Sequence, residues 1–383
     1  MRYFISAGEA SGDIHAAALI RELRRADHEA TFAFLGGDLM AEAAGVAPVI
    51  HYREMAFMGF SEVIRHLGKV LGNLSNARRA LEDFNADVLI LVDYPSFNLK
   101  LAKAAHKRGT KVVYFISPKV WAWKEWRVKA IKKYVDVLLS ILPFEKEFYR
   151  RHGYEITYVG NPSAGEIERA VKALPSDAQF REENSLDPSK PIMALVAGSR
   201  VGEIRNNLPV MAAVAKEYPQ YQAVIAGAPS IDTALYKSLT DLPVVENSTF
   251  ALMRHADLAL VTSGTATLEC ALIGTPQVAC YRSSGKKLTY KIMRWLIKGR
   301  FVTLPNLIAD DEIIPEMLIH RCTPELVAAE VRRILPDTDG RRAQLEGYRR
   351  MRELLTDSDA AATAATEIVK LLKSAPREQD KEA

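Results

Sequence analysis

A turn of small polar residues, Ser263-Gly264-Thr265, has the composition of a phosphate-binding site. It follows an apolar run at 258–262 that favours a strand, and it precedes a stretch at 266–273 that favours a helix. The uncovered amides at the start of a helix, together with the helix dipole, attract an anion. Glu269 comes one helical turn later, where its carboxylate could accept hydrogen bonds from sugar hydroxyls. An ordinary strand–helix joint with Ser and Thr as caps is the alternative interpretation.

Two other loops carry side chains suited to a diphosphate. Gly198-Ser199-Arg200 follows a predicted strand at 192–197, and an arginine guanidinium makes bidentate contacts with phosphate. The alternative for Arg200 is a surface ion pair with Glu203. Asn306 could hold a phosphate or sugar oxygen, although its loop alone indicates no more than a turn. The predicted donor-binding set is Ser199, Arg200, Ser263, Gly264, Thr265, Glu269 and Asn306.

Asp93 is the candidate general base. It ends the fully apolar run at 88–92, which is typical of a strand covered on both faces. A carboxylate at the carboxyl end of such a strand faces a ligand cleft, and apolar surroundings raise its pKa towards that of a useful base. The competing role is an N-cap for the helix that begins near Ser96, but Ser96 can provide that cap itself.

The first predicted strand, at 2–7, runs into the segment GEASGD at 8–13. This segment does not match the dinucleotide fingerprint G-x-G-x-x-G, and the chain has no Walker A loop. Its two glycines still permit a close approach of the backbone to a bound group. We expect Glu9 and His15 at the same cleft as further catalytic candidates. The alternative is a simple turn in which Asp13 caps its own helix.

Three stretches combine apolar or aromatic side chains with positive charge. Residues 54–74 are unusually apolar for a connection, residues 290–301 mix basic residues with aromatics, and residues 119–127 hold three tryptophans beside basic residues. Such compositions suit acyl chains, an anionic membrane surface or a lipid phosphate. Amphipathic helices packed on the core are the alternative for the first two stretches. The residues predicted for an acceptor or membrane surface are Met58, Phe60, Trp121, Trp123, Lys291, Arg294, Trp295 and Lys298.

Length and composition indicate a two-domain α/β protein. The chain has 383 residues, 48% of them hydrophobic, which is enough for a large core that splits in two. Strand and helix patterns alternate in both halves, so we predict two doubly wound, Rossmann-like domains that face each other across a cleft. The predicted domains are residues 1–162 and 163–356, and residues 374–383 are predicted to be a disordered tail.

Charge and cysteine content exclude several classes of protein. A formal net charge of +4 is too small to indicate nucleic acid. The three cysteines lack pairing or ligand spacing and fit a reducing compartment, and no His or Cys cluster indicates a metal, so we expect neither metal nor cofactor. We also expect no signal peptide and no membrane span, which would make any contact with a bilayer peripheral.

Taken together, the motifs resemble those of the lipid-A-disaccharide synthase family, which are bacterial membrane-associated glycosyltransferases of the GT-B fold. The resemblance runs nearly end to end, although the TSGTATLE-like element alone recurs across GT-B enzymes. Its carriers are SAGEASGDIHAA at 6–17, LVDYPSFN at 91–98, SPKVWAWKEWR at 117–127, VGNP at 159–162, GSR at 198–200, TSGTATLE at 262–269 and LPNLIA at 304–309.

The resemblance implies a reaction and a location. UDP-2,3-diacylglucosamine would donate its sugar to the 6-hydroxyl of 2,3-diacylglucosamine 1-phosphate (lipid X), with Asp93 as the base and UDP as the leaving group. The carboxyl-terminal domain would bind UDP, and the amino-terminal domain would bind the acceptor. A last helix at 357–372 would pack back on the first domain. The enzyme would work at the anionic cytoplasmic face of the inner membrane, in an oligomeric state left open.

Two other functions share parts of this pattern. A nucleotide-sugar 2-epimerase has the same two-domain architecture and phosphate turn, but it has no use for an apolar surface at 54–74. A non-catalytic lipid- or nucleotide-binding protein would not need a buried carboxylate at Asp93.

Overall fold

The computed structural model describes residues 1–55, 67–121, 124–282, 300–355 and 359–374. The predicted tail lies outside these ranges except for Ser374. Most of the predicted acceptor or membrane surface also lies outside the described residues, namely Met58, Phe60, Trp123, Lys291, Arg294, Trp295 and Lys298.

The chain divides into two compact units. The first contains residues 1–162 together with 359–374, and the second contains residues 163–355. Each unit has its own parallel sheet and its own hydrophobic core.

Within the described residues, a seven-stranded parallel sheet forms the centre of the first unit. Its strands are β1 (Arg2–Ala7), β2 (Thr31–Gly36), β3 (Ile50–His51), β4 (Val88–Val92), β5 (Lys111–Phe115), β6 (Val137–Ser140) and β7 (Thr157–Tyr158). They lie in the order β3-β2-β1-β4-β5-β6-β7. All of β4 is buried, as expected for a central strand with helices on both faces.

The helices of the first unit connect these strands. They are α1 (Ala10–Ala26), α2 (Asp38–Ala44), α3 (Tyr52–Met55), α4 (Leu67–Phe84), α5 (Pro95–Lys107), α6 (Val128–Tyr134) and α7 (Glu145–Arg151). A 3₁₀ turn at Glu125–Arg127 leads directly into α6.

The second unit repeats the pattern with a parallel sheet of six described strands. They are β8 (Ile192–Val196), β9 (Gln222–Gly227), β10 (Val244–Glu246), β11 (Leu258–Thr262), β12 (Gln277–Tyr281) and β13 (Glu316–Leu318), in the order β10-β9-β8-β11-β12-β13. The helices are α8 (Pro162–Lys172), α9 (Asp177–Glu183), α10 (Val201–Lys216), α11 (Thr233–Lys237), α12 (Thr249–His255), α13 (Thr265–Ile273), α14 (Leu304–Ala309), α15 (Pro324–Arg333) and α16 (Asp339–Leu354).

The last described helix, α17 (Ala360–Ser374), belongs to the first unit. Its buried residues Ala364 and Ile368 lie in the same hydrophobic cluster as Ala16 and Ile20 of α1. Small alanine side chains on both helices let their backbones approach closely.

Each sheet has a topological switch point, a pair of neighbouring strands from which the chain continues towards opposite edges of the sheet. In the first unit it lies between β1 and β4, and in the second between β8 and β11. Ligands of open α/β sheets bind outside the carboxyl ends of strands at such points. The predicted loops of Glu9, Asp93, Arg200 and residues 263–265 follow these four strands, whereas the loop of Asn306 lies between β12 and β13.

Asp13 connects two helices and does not cap its own. It lies buried in the first turn of α1, and its carboxylate accepts hydrogen bonds from the amides of Gly37 (2.7 Å), Leu39 (3.2 Å) and Met40 (3.3 Å). These amides are unpaired donors at the start of α2. Asp13 therefore caps α2 from a distant part of the chain, which corrects the local-cap interpretation.

Candidate active site

Asp93 directly follows β4 in an unusual backbone conformation. Asp93 and Tyr94 both have positive φ angles, 44° and 47°, in a region that residues other than glycine rarely adopt. The Asp93 carbonyl is fixed by two donors, the Tyr114 hydroxyl at 2.6 Å and the Asn98 side-chain amide at 2.8 Å. Consecutive left-handed residues that are held in place this firmly are typical of functional sites.

Asn98 is the residue that aligns this site. It ends the motif LVDYPSFN at 91–98, but the motif does not indicate this role. It is fully buried in α5. Its Nδ2 donates to the Asp93 carbonyl, and its Oδ1 accepts a hydrogen bond from the Ser6 hydroxyl of β1 at 2.7 Å. One side chain thus joins the ends of the two strands that flank the switch point.

The start of α5 differs from the prediction. The helix begins at Pro95, with Tyr94 as the N-cap and no side-chain cap. Ser96 lies inside the first turn and accepts a hydrogen bond from Arg127 Nη2 at 2.9 Å. The expectation that Ser96 caps the helix is therefore wrong.

Charge and burial set the pKa of Asp93. Burial raises it, the negative charge of Glu9 raises it further, and Lys119 lowers it. The predicted direction of the shift is confirmed. A raised pKa makes the carboxylate a stronger base, provided that the working pH still ionises it.

The structure brings Glu9 near Asp93. Glu9 is exposed at the N-cap of α1, and its charge raises the pKa values of both Asp93 and Tyr94. A Cβ atom on Gly8 would lie 2.3 Å from the Tyr94 ring, so only glycine allows this approach. His15 lies half-buried in the second turn of α1.

Glu145 is a buried carboxyl group near this site that the sequence patterns do not reveal. It begins α7 and is 1% exposed. Its Oε1 accepts a hydrogen bond from the Trp121 indole at 3.0 Å, and its Oε2 bonds with the Ser140 hydroxyl. Burial raises the pKa of Glu145 to about 8 and outweighs the lowering effects of Ser140, Trp121 and Lys119.

The surroundings of Ser140 fit a protonated Glu145. The Ser140 hydroxyl has one proton, and the Leu142 carbonyl lies 3.0 Å from its oxygen. A neutral carboxyl group at Glu145 donates to Ser140 and leaves the hydroxyl proton for Leu142. All three groups are then satisfied without an ionised group in the interior.

Trp121 makes internal contacts, and its prediction as part of an acceptor or membrane surface stays a prediction. It is half-buried, its nitrogen is bonded to Glu145, and its ring packs edge-on against Phe144 with centroids 5.0 Å apart. Trp126, by contrast, is 67% exposed.

The predicted phosphate turn in the second unit follows β11 as expected. Gly264 is the N-cap of α13, and no side chain caps this helix. Gly264 and Thr265 are exposed, and the Thr267 hydroxyl bonds to the Gly264 carbonyl at 2.7 Å, further into the helix. The alternative interpretation, with Ser and Thr side chains as caps, does not describe this helix start.

Glu269 lies half-buried one turn further along α13. Burial raises its pKa, and the charge of Glu166 on α8 raises it further. Burial removes water from the Glu269 carboxyl group, and hydrogen bonds from a polar ligand would replace those that it would make with water.

Arg200 forms an ion pair with Glu203, which was the alternative to phosphate binding. The guanidinium is exposed, and its Nη1 lies 2.9 Å from Glu203 Oε1. Glu203 Oε2 also accepts from the Ser199 amide at 3.2 Å. Gly198 has a φ of 122°, and a Cβ there would lie 2.7 Å from the Glu203 carboxylate. Glu203 therefore occupies the anion-binding groups of this loop.

Asn306 is turned into the protein, which corrects its prediction as a phosphate ligand. It is fully buried, and its Nδ2 donates to the Ile314 carbonyl (2.9 Å) and to Glu316 (3.0 Å), while its Oδ1 accepts from the Ile314 amide. Both amide protons are used, so none remains for a ligand. Glu316 also accepts from the Thr303 amide at 2.9 Å and so shapes the start of α14.

Asn207 on α10 joins the ends of strands in the second unit, as Asn98 does in the first unit. It is fully buried, and its Nδ2 donates to the Ala197 carbonyl (3.2 Å) and the Thr262 hydroxyl (2.9 Å). Its Oδ1 accepts from the Arg282 amide at 2.7 Å. The ends of β8, β11 and β12 are therefore aligned by one side chain that sequence spacing did not reveal.

No helix in the described part of the chain is both long and apolar enough to cross a membrane. Over the same residues, His, Cys, Asp and Glu side chains form no group of three or more that could hold a metal ion.

Solved structures place the chain in the two-domain GT-B class. UDP-GlcNAc 2-epimerase from Neisseria meningitidis bound to UDP-GlcNAc aligns with a TM-score of 0.63 at 14% identity, over 98% of this chain and 100% of that one. CalG4, the calicheamicin glycosyltransferase, aligns with a TM-score of 0.60 at 16% identity, over 98% and 100%. At such identities the likeness shows the fold alone, and it confirms the predicted pair of Rossmann-like domains.

Sequence relatives define the family. The family model described as Lipid-A-disaccharide synthetase matches residues 3–369. The lipid-A-disaccharide synthase of Myxococcus xanthus is 40% identical over 380 residues, 97% of either chain, and that of Geobacter metallireducens is 36% identical over 380 residues, again 97% of either. The chain belongs to the lipid-A-disaccharide synthase family.

Family membership confirms the predicted enzyme class, a glycosyltransferase of lipid A biosynthesis with a UDP-sugar-type substrate. It favours this function over a 2-epimerase, because the likeness to epimerases extends only to the fold. It also favours an enzyme over a non-catalytic binding protein.

Replacement of Glu145 tests its protonation state. Since its folded-state pKa of about 8 lies above the ordinary 4.5, the folded chain binds more protons between these values, and stability falls as pH rises from about 4.5 to 8. Glu145→Gln removes this titration while keeping an acceptor for Trp121 and a donor for Ser140. Each pKa unit corresponds to about 1.4 kcal/mol. The free energy of unfolding of the variant, relative to that of the native chain, should therefore rise by about a few kcal/mol as the pH rises across this window.

Melting temperatures measured between pH 5 and pH 9 check this prediction. The exposed Glu147, on the same helix, provides the control Glu147→Gln, whose curve should run parallel to that of the native chain. A parallel curve for Glu145→Gln as well would show that Glu145 is ionised when folded.

Proposed function

We propose that the enzyme transfers the sugar of UDP-2,3-diacylglucosamine to the 6-hydroxyl of 2,3-diacylglucosamine 1-phosphate, with inversion at the anomeric carbon. The products are the β(1→6)-linked lipid A disaccharide 1-phosphate and UDP. The observation that carries the proposal is the Asp93 carboxyl group, held at a switch point by a constrained backbone and with a raised pKa. Family membership supports the substrate class.

Asp93 acts as the general base in this reaction. Its carboxylate accepts the proton of the 6-hydroxyl while that oxygen attacks the anomeric carbon from the face opposite UDP. The bond between the anomeric carbon and the diphosphate oxygen breaks, and its electron pair leaves with UDP. Glu9 supports the base by raising the pKa of Asp93, and Lys119 opposes this effect by lowering it.

The second unit binds the donor in this proposal. The amides of Gly264 and Thr265 at the uncapped start of α13 contact the diphosphate and stabilise the charge that develops on it, in place of a metal ion. Glu269 accepts hydrogen bonds from the ribose hydroxyls. The diphosphate replaces Glu203 as the partner of Arg200 and of the Ser199 amide, because both are already arranged around a carboxylate.

The enzyme works at the cytoplasmic face of the inner membrane in this proposal. Two observations on the described residues support this location. Trp126 is 67% exposed, and Lys129 and Lys133 of the adjacent α6 are exposed as well. Exposed tryptophan beside lysine suits the interface of an anionic bilayer.

Asp93→Asn tests the base. We expect the purified native chain to convert the two lipid substrates into UDP and the disaccharide, and the variant to lose about two to four orders of magnitude in rate, because an amide does not accept the proton. Normal UDP affinity would show that the donor site is intact. Near-normal turnover with an unchanged pH profile would contradict the assignment.

The pH profile separates Asp93 from Glu9. In the native chain the rate falls at acid pH as Asp93 is protonated. Glu9→Gln removes a negative charge that raises the pKa of Asp93, so the acid limb should move to lower pH with activity retained. A loss in Glu9→Gln as large as that in Asp93→Asn would assign the base to Glu9.

Glu269→Gln tests the donor site. The variant keeps the size of the side chain but loses a charged acceptor, so the KM for the UDP-sugar should rise about ten-fold or more with a smaller change in kcat. Calorimetric titration with UDP checks the same effect without turnover. Glu168→Gln is the control on α8, since Glu168 is exposed and pairs with Lys172. An equal affinity of all three proteins would remove Glu269 from the site.

Charge reversal tests the membrane surface. Lys291, Arg294 and Lys298 lie in a basic, aromatic stretch, and changing all three to Glu should abolish sedimentation with anionic vesicles at low salt. Neutral vesicles serve as the control. Unchanged sedimentation of the variant would show that another surface makes the contact.

A further inference from the structure

Arg127 is a buried cation without an acidic partner in the described part of the chain. It is 9% exposed; its Nη2 donates a hydrogen bond to the Ser96 hydroxyl (2.9 Å), and its guanidinium makes a cation–π contact with Trp126 at 5.6 Å. Neither contact supplies negative charge. By comparison, the buried Arg181 of α9 has its ion pair with Asp177 at 2.8 Å.

Such an arrangement is energetically unfavourable in the absence of an anion. A guanidinium remains charged at any ordinary pH, and removing a charge from water costs several kcal/mol unless a partner offsets it. Burial lowers the pKa of Arg127, and the main opposing influence is the Tyr114 hydroxyl. Burying the charge of Arg127 therefore costs free energy, and an anionic ligand would offset this cost.

The guanidinium lies at the positive end of a helix. Its partner Ser96 is in the first turn of α5, a helix of 13 residues with Tyr94 as the N-cap and no side-chain cap. The helix dipole and the first amides of α5 favour an anion at the same place as the guanidinium does. Two independent features thus point to one anion position.

This position is close to the candidate base. Ser96 follows Asp93 by three residues, so their Cα atoms are at most about 11 Å apart. Tyr114 connects the two groups, since its hydroxyl donates to the Asp93 carbonyl and its pKa responds to both Asp93 and Arg127. One monosaccharide with a hydroxyl at one end and an anionic group at the other can contact both.

We propose that Arg127, the Ser96 hydroxyl and the amino end of α5 bind the phosphate monoester of the acceptor sugar. The anion chemistry follows from the structure of the first unit, and only the identity of the anion rests on the proposed function. Arg127 then does two things at once: it makes bidentate hydrogen bonds to the phosphate, and it places the sugar with a free hydroxyl towards Asp93.

Titration of the full chain with glucosamine 1-phosphate tests the proposal, with uncharged glucosamine as the reference. The native chain should bind the phosphorylated sugar at least ten-fold more tightly. Arg127→Gln should lose this preference, and Arg127→Lys should retain part of it, because lysine keeps the charge without the bidentate geometry. Arg108→Gln is the control, since Arg108 pairs with Glu82 on the exposed surface at the far end of α5.

Ser96→Asp provides a second variant in case Arg127→Gln folds poorly. The new carboxylate would pair with Arg127 at the helix start and stand in for the phosphate. The variant should melt at a higher temperature than the native chain and bind glucosamine 1-phosphate at least ten-fold more weakly. Undiminished binding of the sugar phosphate in both Arg127→Gln and Ser96→Asp would overturn the proposal.

The source of the phosphate is tested with phosphatidylglycerol vesicles. Vesicle binding should be the same for the native chain and Arg127→Gln; a loss confined to vesicles would assign Arg127 to the bilayer and overturn the proposal. Sugar-phosphate binding is measured without turnover, so an Arg127-dependent preference in a chain that makes no disaccharide would uphold this site and reject the proposed function. If Arg127→Gln instead transfers the sugar at the normal rate with an unchanged KM for the acceptor, the proposed function is upheld and this phosphate site is rejected.

Discussion

The described structure depends on how two buried asparagines hold the ends of neighbouring strands. Asn98 joins Ser6 of β1 to the backbone after β4, and Asn207 joins Ala197, Thr262 and Arg282 after β8, β11 and β12. Strand ends at a switch point diverge, and their polar groups lose sheet partners there. A buried side-chain amide supplies both donors and an acceptor, so it satisfies these groups while fixing the loops in register.

In the first unit, burial then determines the chemistry of the groups that these loops carry. Asp93 and Glu145 are both acids with raised pKa values, and burial is the largest cause for each. Their roles differ because their contacts differ. Glu145 is closed in by Trp121 and Ser140 and suits a neutral structural acid, whereas Asp93 is half-buried next to Glu9 and Lys119 and suits a base that changes its protonation.

In the second unit, internal carboxylates hold two of the loops that the sequence predicts to bind the donor. Glu203 pairs with Arg200 and the Ser199 amide, and Glu316 organises the loop before α14. The start of α13 has no such side-chain cap. This contrast indicates which loop groups are already satisfied inside the protein and which can meet a ligand at little cost, because an uncapped amide exchanges only water for the ligand.

The sequence by itself determined the α/β class, the strand at 88–92, the turn at 263–265 and the position of Asp93, because each depends on local periodicity or on residues adjacent in the chain. It did not reveal Asn98, whose partner Ser6 is 92 residues away, or the cap that Asp13 provides to α2. It also misjudged Asn306, whose side-chain amide turns inward to Glu316, and it did not show that the Trp121 indole bonds to Glu145. Such roles depend on which elements are packed together, and only the tertiary structure decides whether a polar side chain meets a partner inside the protein, as Glu203 meets Arg200, or remains without an opposite charge, as Arg127 does among the described residues.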